Sequence, residues 1–271
     1  MTMADLDLAR ALLTARRAVE AASAAALAHF RRGVRVETKP DRTPVTVADR
    51  ESEAAIAAVV RAAFPGHGFL GEETGTAPGS EEARWIVDPI DGTRGFTRGG
   101  SFWGPLLALE HRGEVVVGAM ALPALGQTFW AARGRGAYLQ RGRGKPERLR
   151  VSRVADWEQA TLSVGEMRFL LAPERAAAVE RLVATAASAR CYGDLAGCSM
   201  VLTGRAEAWI EAGVKEWDLA PLKVLVEEAG GRFTDLEGRP TAASGHCLAS
   251  NGLVHRHVLA AFRSGRAVAK P

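Results

Sequence analysis

Several protein classes are set aside by what this 271-residue chain lacks. It has three cysteines, Cys191, Cys198 and Cys247, an odd number with no Cys-x-x-Cys pair. That argues against a disulfide framework or a zinc site, and a reduced, cytoplasmic setting is expected. No run approaches the ~18 apolar residues that span a bilayer, and the acid-containing start MTMADLDLARALL does not read as a signal peptide. Excess charge is also missing: the formal net charge is +4. The basic stretches FRRGVRVETK and ARGRGAYLQRGRGKPERLR lack a recognisable nucleic-acid module, so neither nucleic acid nor membrane is an expected partner. A mildly basic surface instead suits an anionic small substrate. No internal repeat is evident.

What is present is an ordinary globular composition, 47% hydrophobic and 24% charged, enough for one large domain or two packed halves. Residues 5–31 predict an amphipathic helix. Its apolar stripe starts at Leu6, Ala9, Leu12 and Leu13, is interrupted by Arg16 and Arg17, resumes at Val19, Ala22, Ala26, Leu27 and Phe30, and ends at Gly33. VRVETKPDRTPVT reads as an extended loop. A helix over 48–63 follows, with Asp49, Glu51 and Glu53 suiting the positive end of its dipole. From residue 84 the pattern becomes strands: RWIVD, then two strands joined by a turn at His111–Glu114, then a hairpin turning at RGRG. RGRGKPERLRVSRV reads as the linker between a domain of residues 1–148 and one of residues 149–271. The second half predicts a strand at 160–164, helices at 174–187 and 195–204, a strand at 206–210, a helix at 218–229 and a final helix at 253–262. The order suggests a layered α/β (α+β) fold with two sub-domains.

Four acidic segments stand out: TVAD ending at Asp49, GEE at 71–73, DPIDGT at 88–93 and EWDLAP at 216–221. Taken singly, most have plain structural roles. Asp49 suits the first turn of a helix, GEE an exposed turn, and Asp218 a helix cap. DPIDGT carries more charge than a turn requires. Asp88 ends an apolar strand, Pro89 stiffens the chain, Asp91 follows at three residues, and Gly92 permits an unusual backbone angle. Such a loop can aim both carboxylates, the Ile90 carbonyl and the Thr93 hydroxyl at one point. Hard oxygen donors without His or Cys suit Mg²⁺, Mn²⁺ or Ca²⁺ rather than zinc.

These segments, in this order across nearly the whole chain, resemble the inositol monophosphatase superfamily of metal-dependent phosphomonoesterases, through PVTVAD, GEE, WIVDPIDGT and EWDLAPLKVLVEEAGG. The resemblance implies an α/β/α/β/α sandwich, and a homodimer in many members. It implies hydrolysis of a phosphate ester by metal-activated water, with two or three Mg²⁺ per site and Mn²⁺ as a possible substitute. Glu72, Asp88 and the Ile90 carbonyl match ligands of one ion, and Asp88, Asp91 and Asp218 those of a second. Asp49, with Glu72, matches the group supporting a bound water or weaker third ion. Gly92 and Thr93 match the phosphate cradle, with Thr93 also orienting the attacking water. RCYGDLAG and GRAEAWIE resemble the histidinol-phosphatase branch, although Leu195–Ala196 stands where that branch often has Cys-Tyr. Asp194 and Glu211 are then candidates to recognise the amine and imidazole of histidinol phosphate, with Arg190 forming a salt bridge in the pocket or across a dimer. The alternatives are an inositol or other polyol monophosphatase, an adenosine 3′,5′-bisphosphate nucleotidase, and a non-catalytic metal-stabilised binding protein.

Overall fold

Strands that are apolar on both faces require helices on both sides. The structure, a computed structural model describing residues 6–30, 36–38 and 44–265, is layered in that way. α1 (Leu8–Phe30), a hairpin of β1 (Val36–Thr38) and β2 (Pro44–Thr46), and α2 (Val47–Ala63) come first. Then follow β3 (Gly68–Gly71), β4 (Gly75–Ala77), β5 (Ala83–Asp91), α3 (Thr93–Thr97), β6 (Gly104–His111), β7 (Glu114–Leu122), β8 (Gln127–Ala132), β9 (Gly136–Arg141) and β10 (Glu147–Arg148). The remaining elements are β11 (Thr161–Val164), α4 (Met167–Leu170), α5 (Pro173–Thr185), β12 (Ser188–Arg190), α6 (Asp194–Leu202), β13 (Ala208–Ala212), α7 (Glu216–Glu228), β14 (Arg232–Thr234), β15 (His246–Ser250) and α8 (His255–Gly265).

Eight strands form one sheet in the order β10-β9-β8-β7-β6-β5-β3-β4, antiparallel except where β3 runs parallel to β5. Five form a second, β12-β11-β13-β15-β14, in which β12, β11 and β13 are parallel. Alternation along β6 sends Leu107 and Leu109 into a core beneath α1 and α2, and Leu106 and Ala108 into a core shared with α6 and α7. The far face of the second sheet is closed by α5 and α8. The result is the expected α/β/α/β/α sandwich. α7 lies directly on β7: a Cβ on Gly118 would stand 2.4 Å from the Pro221 carbonyl oxygen. That close approach seats the first half of α7 against the middle of β7.

Some expectations needed correcting. The buried face of α1 is an alanine stripe, Ala11, Ala15, Ala18, Ala22 and Ala26, with Val19, whereas Leu13 is exposed. Arg16 and Arg17 flank this stripe rather than interrupt it, and Arg16 stacks over the Trp130 ring. Small side chains let α1 sit close to α2 and the sheet, and hydrophobicity alone does not report that closeness. The helix end at Gly33 lies outside the described residues. The loop expected at VRVETKPDRTPVT contains the paired β1 and β2. β10, expected to be linker, pairs with β9. α7 begins at Glu216, so Asp218 is in its first turn rather than its cap. β3, β4, β12, β14, β15 and the short α3 and α4 lie outside the expected elements.

Candidate active site

β5 delivers the first carboxylates. Ile86 and Asp88 share a face by alternation, and that face looks toward α6 and α7. Asp91, an odd number of residues on, would point away in a regular strand. The pairing with β6 shifts register between Asp88 and Asp91, and this irregularity returns Asp91 to the same side. The Asp88 Oδ1 accepts from the Ile90 N–H at 2.9 Å, closing a tight turn. The Ile90 side chain packs with Phe96 and Trp103, while its carbonyl accepts the Thr93 hydroxyl at 2.9 Å. Gly92 holds φ +79°, and a Cβ there would lie 2.7 Å from the Phe102 carbonyl oxygen and 3.0 Å from Asp194 Oδ2. Angle and crowding together require glycine.

Two helices bring the distant acids. Asp218, in the first turn of α7, accepts from the Lys215 N–H at 2.6 Å through Oδ2. Carboxylate oxygens of Asp88, Asp91 and Asp218 all lie within 4.8 Å of one another. Asp49, in the first turn of α2, is buried. Its Oδ2 accepts from the Thr46 N–H and hydroxyl, both at 2.7 Å, in a capping box. Its Oδ1 faces the Thr93 hydroxyl at 3.5 Å. Glu72 is half-buried on the turn after β3, where its N–H donates to the Val87 carbonyl.

Burial is the first cause raising the Asp88 and Asp91 carboxyls well above the usual range. Glu72, Asp218 and Asp91 add to it at Asp88, and Asp194 and Asp218 at Asp91. Asp218 is pushed up to about 6, chiefly by burial, and Asp49 is raised for the same reason despite its bonds to Thr46. Such a cluster calls for a proton or a cation. The donors are all oxygen, and Asp91 and Asp218 are only partly buried and so reachable from solvent. This set fits a hard divalent cation such as Mg²⁺ or Mn²⁺.

Beside this cluster lie Asp194 and Glu211. α6 starts at Asp194, which holds φ +22°, and the next amide, Leu195 N–H, donates to Asp91 Oδ2 at 2.8 Å. Glu211 shares the inward face of β13 with Trp209. Its Oε1 accepts from the Glu166 N–H at 2.6 Å, while its buried Oε2 has no partner. Burial, with Asp194 and Glu166 adding repulsion, pushes Glu211 up to about 8. Arg190 is exposed on the edge strand β12, and its Nη1 donates to the Ala189 carbonyl rather than to these carboxylates. Two acids had no assigned role at the site. Glu166 adds charge beside Asp194 and Glu211. Glu53, read as a dipole-facing acid, is buried under the turn that carries Glu72. The available signal for Glu53 was its i+4 spacing from Asp49, on one helix face.

The profile of the inositol monophosphatase family matches residues 7–266. The histidinol-phosphatase of Mycobacterium tuberculosis is 41% identical over 232 residues, covering 86% of this chain and 89% of that protein. That of Chlorobaculum parvum is 39% identical over 236 residues, covering 87% and 89%. Among solved structures, the Thermotoga maritima IMPase superposes with a TM-score of 0.80 at 31% identity, covering 92% of this chain and 95% of that one.

Proposed function

The chain belongs to the inositol monophosphatase family and is a metal-dependent phosphomonoesterase, and from that premise we propose that it hydrolyses histidinol phosphate to histidinol and phosphate. The observation carrying this reading is the acidic wall beside the metal cluster. Asp194, Glu211 and Glu166 repel one another, and Glu211 has an unpartnered buried oxygen. A substrate bearing an amine and an imidazole relieves that repulsion, whereas a neutral polyol does not. The similarity to two histidinol-phosphatases supports the same choice.

Asp88, Asp91, Asp218, Glu72 and the Ile90 carbonyl would hold two Mg²⁺ ions, and Asp49 with Glu72 a weaker third. Bound there, the cations would neutralise the phosphoryl oxygens and acidify the attacking water. The protein's own groups do the positioning. The Thr93 hydroxyl, set between Ile90 O and Asp49 Oδ1, orients the water by accepting from it. The main-chain amides at Gly92 and Thr93, turned by the left-handed Gly92, receive the phosphate. Exposed Arg94 on α3 and Arg98 directly after it attract the anion before it docks.

The test is a steady-state panel of histidinol phosphate, inositol 1-phosphate, fructose 1,6-bisphosphate and adenosine 3′,5′-bisphosphate with Mg²⁺. Histidinol phosphate is expected to give the highest kcat/KM. Asp194→Ala is expected to raise KM for that ester about 10-fold or more while leaving inositol 1-phosphate turnover little changed. The reading fails if histidinol phosphate ranks among the poor substrates. An equal loss for every ester would make Asp194 structural.

A further inference from the structure

We propose that Glu53 is a positioning residue for Glu72. Its buried carboxylate holds the 71–74 turn at the depth from which the Glu72 side chain joins the metal cluster. Glu53 is 1% exposed and lies one helical turn beyond Asp49 on α2. Its Oε2 accepts from the Glu73 N–H and its Oε1 from the Thr74 N–H, both at 2.9 Å. These are interior amides of the loop joining β3 to β4, whose strands pair up to Gly71 and Gly75. One carboxylate therefore satisfies two donors that the hairpin leaves without a ladder partner.

The turn lies at the margin of the sheet, tied to β5 by the Glu72 N–H to Val87 carbonyl bond and to α2 by Glu53. β4 is the edge strand of the sheet and is exposed along its length. On the inner side the fit to Glu53 is close: a Cβ on Gly71 would stand 2.5 Å from Glu53 Oε1 and 2.7 Å from Oε2. Gly71 is thus bare where the carboxylate abuts the chain, immediately before Glu72. α2 sets two depths at once. Asp49 reaches the site directly, and Glu53 sets the height of the turn whose acid faces Asp49, Asp88 and Asp218. A shift of the turn by a few tenths of an ångström moves the Glu72 carboxylate relative to all three.

The inference rests on Glu72 being a metal ligand, so Glu72→Gln is measured alongside. Mn²⁺ binding is titrated calorimetrically on the full chain without substrate. The Mg²⁺ dependence of p-nitrophenyl phosphate hydrolysis is followed in parallel, and thermal melts are recorded in EDTA. Glu53→Gln, which keeps the volume but replaces one acceptor with an amide, and Gly71→Ala, which pushes on the turn from the other side, are both expected to weaken Mn²⁺ binding about 10-fold. They should raise the Mg²⁺ needed for half-maximal rate by a similar factor, with most of kcat recovered at saturating Mg²⁺. Glu53→Asp, which keeps the charge on a shorter arm, should fall between them and wild type. If Glu72→Gln binds Mn²⁺ like wild type, the ligand assignment falls and the inference with it. If Glu72→Gln loses affinity while folded Glu53→Gln and Gly71→Ala keep it, Glu53 serves only stability and the inference is wrong.

Discussion

The carboxylate cluster predicts an inverse relation between stability and function that Asp91→Asn should expose. Asp88, Asp91 and Asp218 present oxygens within 4.8 Å of one another. Two unit charges at that separation repel by about 3 kcal/mol at an effective dielectric of about 20. Burial and mutual repulsion raise all three carboxyls, so in the metal-free protein bound protons relieve part of this. A gain of about 1–3 kcal/mol on neutralising Asp91 is left after that discount. The substitution is mild in other respects: Asp91 Oδ2 accepts from the Leu195 N–H, and an amide oxygen accepts equally well. For a chain of this size the gain corresponds to a melting temperature raised by roughly 2–5 °C in EDTA. Added Mg²⁺ should stabilise wild type by mass action and Asp91→Asn far less, and phosphate release should be lost. Scanning fluorimetry with and without Mg²⁺, beside a phosphate-release assay, reads all three. A variant that melts below wild type in EDTA, or that keeps the full Mg²⁺ shift, would refute the argument.

Two further predictions concern the second sheet. His255 is fully buried between the Thr234 and Ser250 hydroxyls, and burial first, then Arg232, lowers its pKa from 6.5 to about 4. Neutral in the fold and protonated in the unfolded chain across that window, it withdraws about 3 kcal/mol of stability as pH falls from 6.5 to 4. Urea denaturation at pH 7 and pH 5 should therefore show a smaller acid loss for His255→Gln than for wild type, and equal losses would contradict the assignment. Gly197 in α6 faces β11 and β13, where a Cβ would lie 2.6 Å from Trp209 Nε1 and 2.9 Å from Ser163 Oγ. Gly197→Ala should cost about 1–3 kcal/mol by overpacking, and an unchanged denaturation midpoint would mean that α6 is not seated there.

The site was legible wherever its chemistry is local. DPIDGT announces itself because Asp88, Asp91, Gly92 and Thr93 are sequence neighbours and their density exceeds what a turn uses. What stayed hidden depends on partners far along the chain. Glu53 has a sufficient explanation within its own helix, as an acid near the positive end. Its burial follows from a turn twenty residues later that alone supplies the Glu73 and Thr74 amides. The irregularity that turns Asp91 back toward Asp88 is a property of pairing with β6, so the motif implies convergence without giving its cause. The buried face of α1 is hidden from the sequence pattern for a related reason. Leucines dominate a hydrophobicity pattern, but the helix meets its neighbours through alanines, whose burial reflects how closely two surfaces approach.

Helix direction ties these features together and also limits them. Asp49 and Asp218 occupy the first turns of α2 and α7, and Asp91 is bonded by the second residue of α6, so three helices point their positive ends at one acidic cluster. Each such end stabilises a nearby negative charge by about 0.3–1 kcal/mol, up to about 2 in partly buried geometry. The three close carboxylate pairs each repel by about 3 kcal/mol when ionised. Even at the upper value the three ends offset only about 6 of roughly 9 kcal/mol, enough to gather the acids but not to keep them all charged. The remainder falls to protons or to cations. At a site that collects an anionic ester, cations held by these carboxylates would do both tasks, leaving the carboxylates ionised and presenting positive charge to the phosphate.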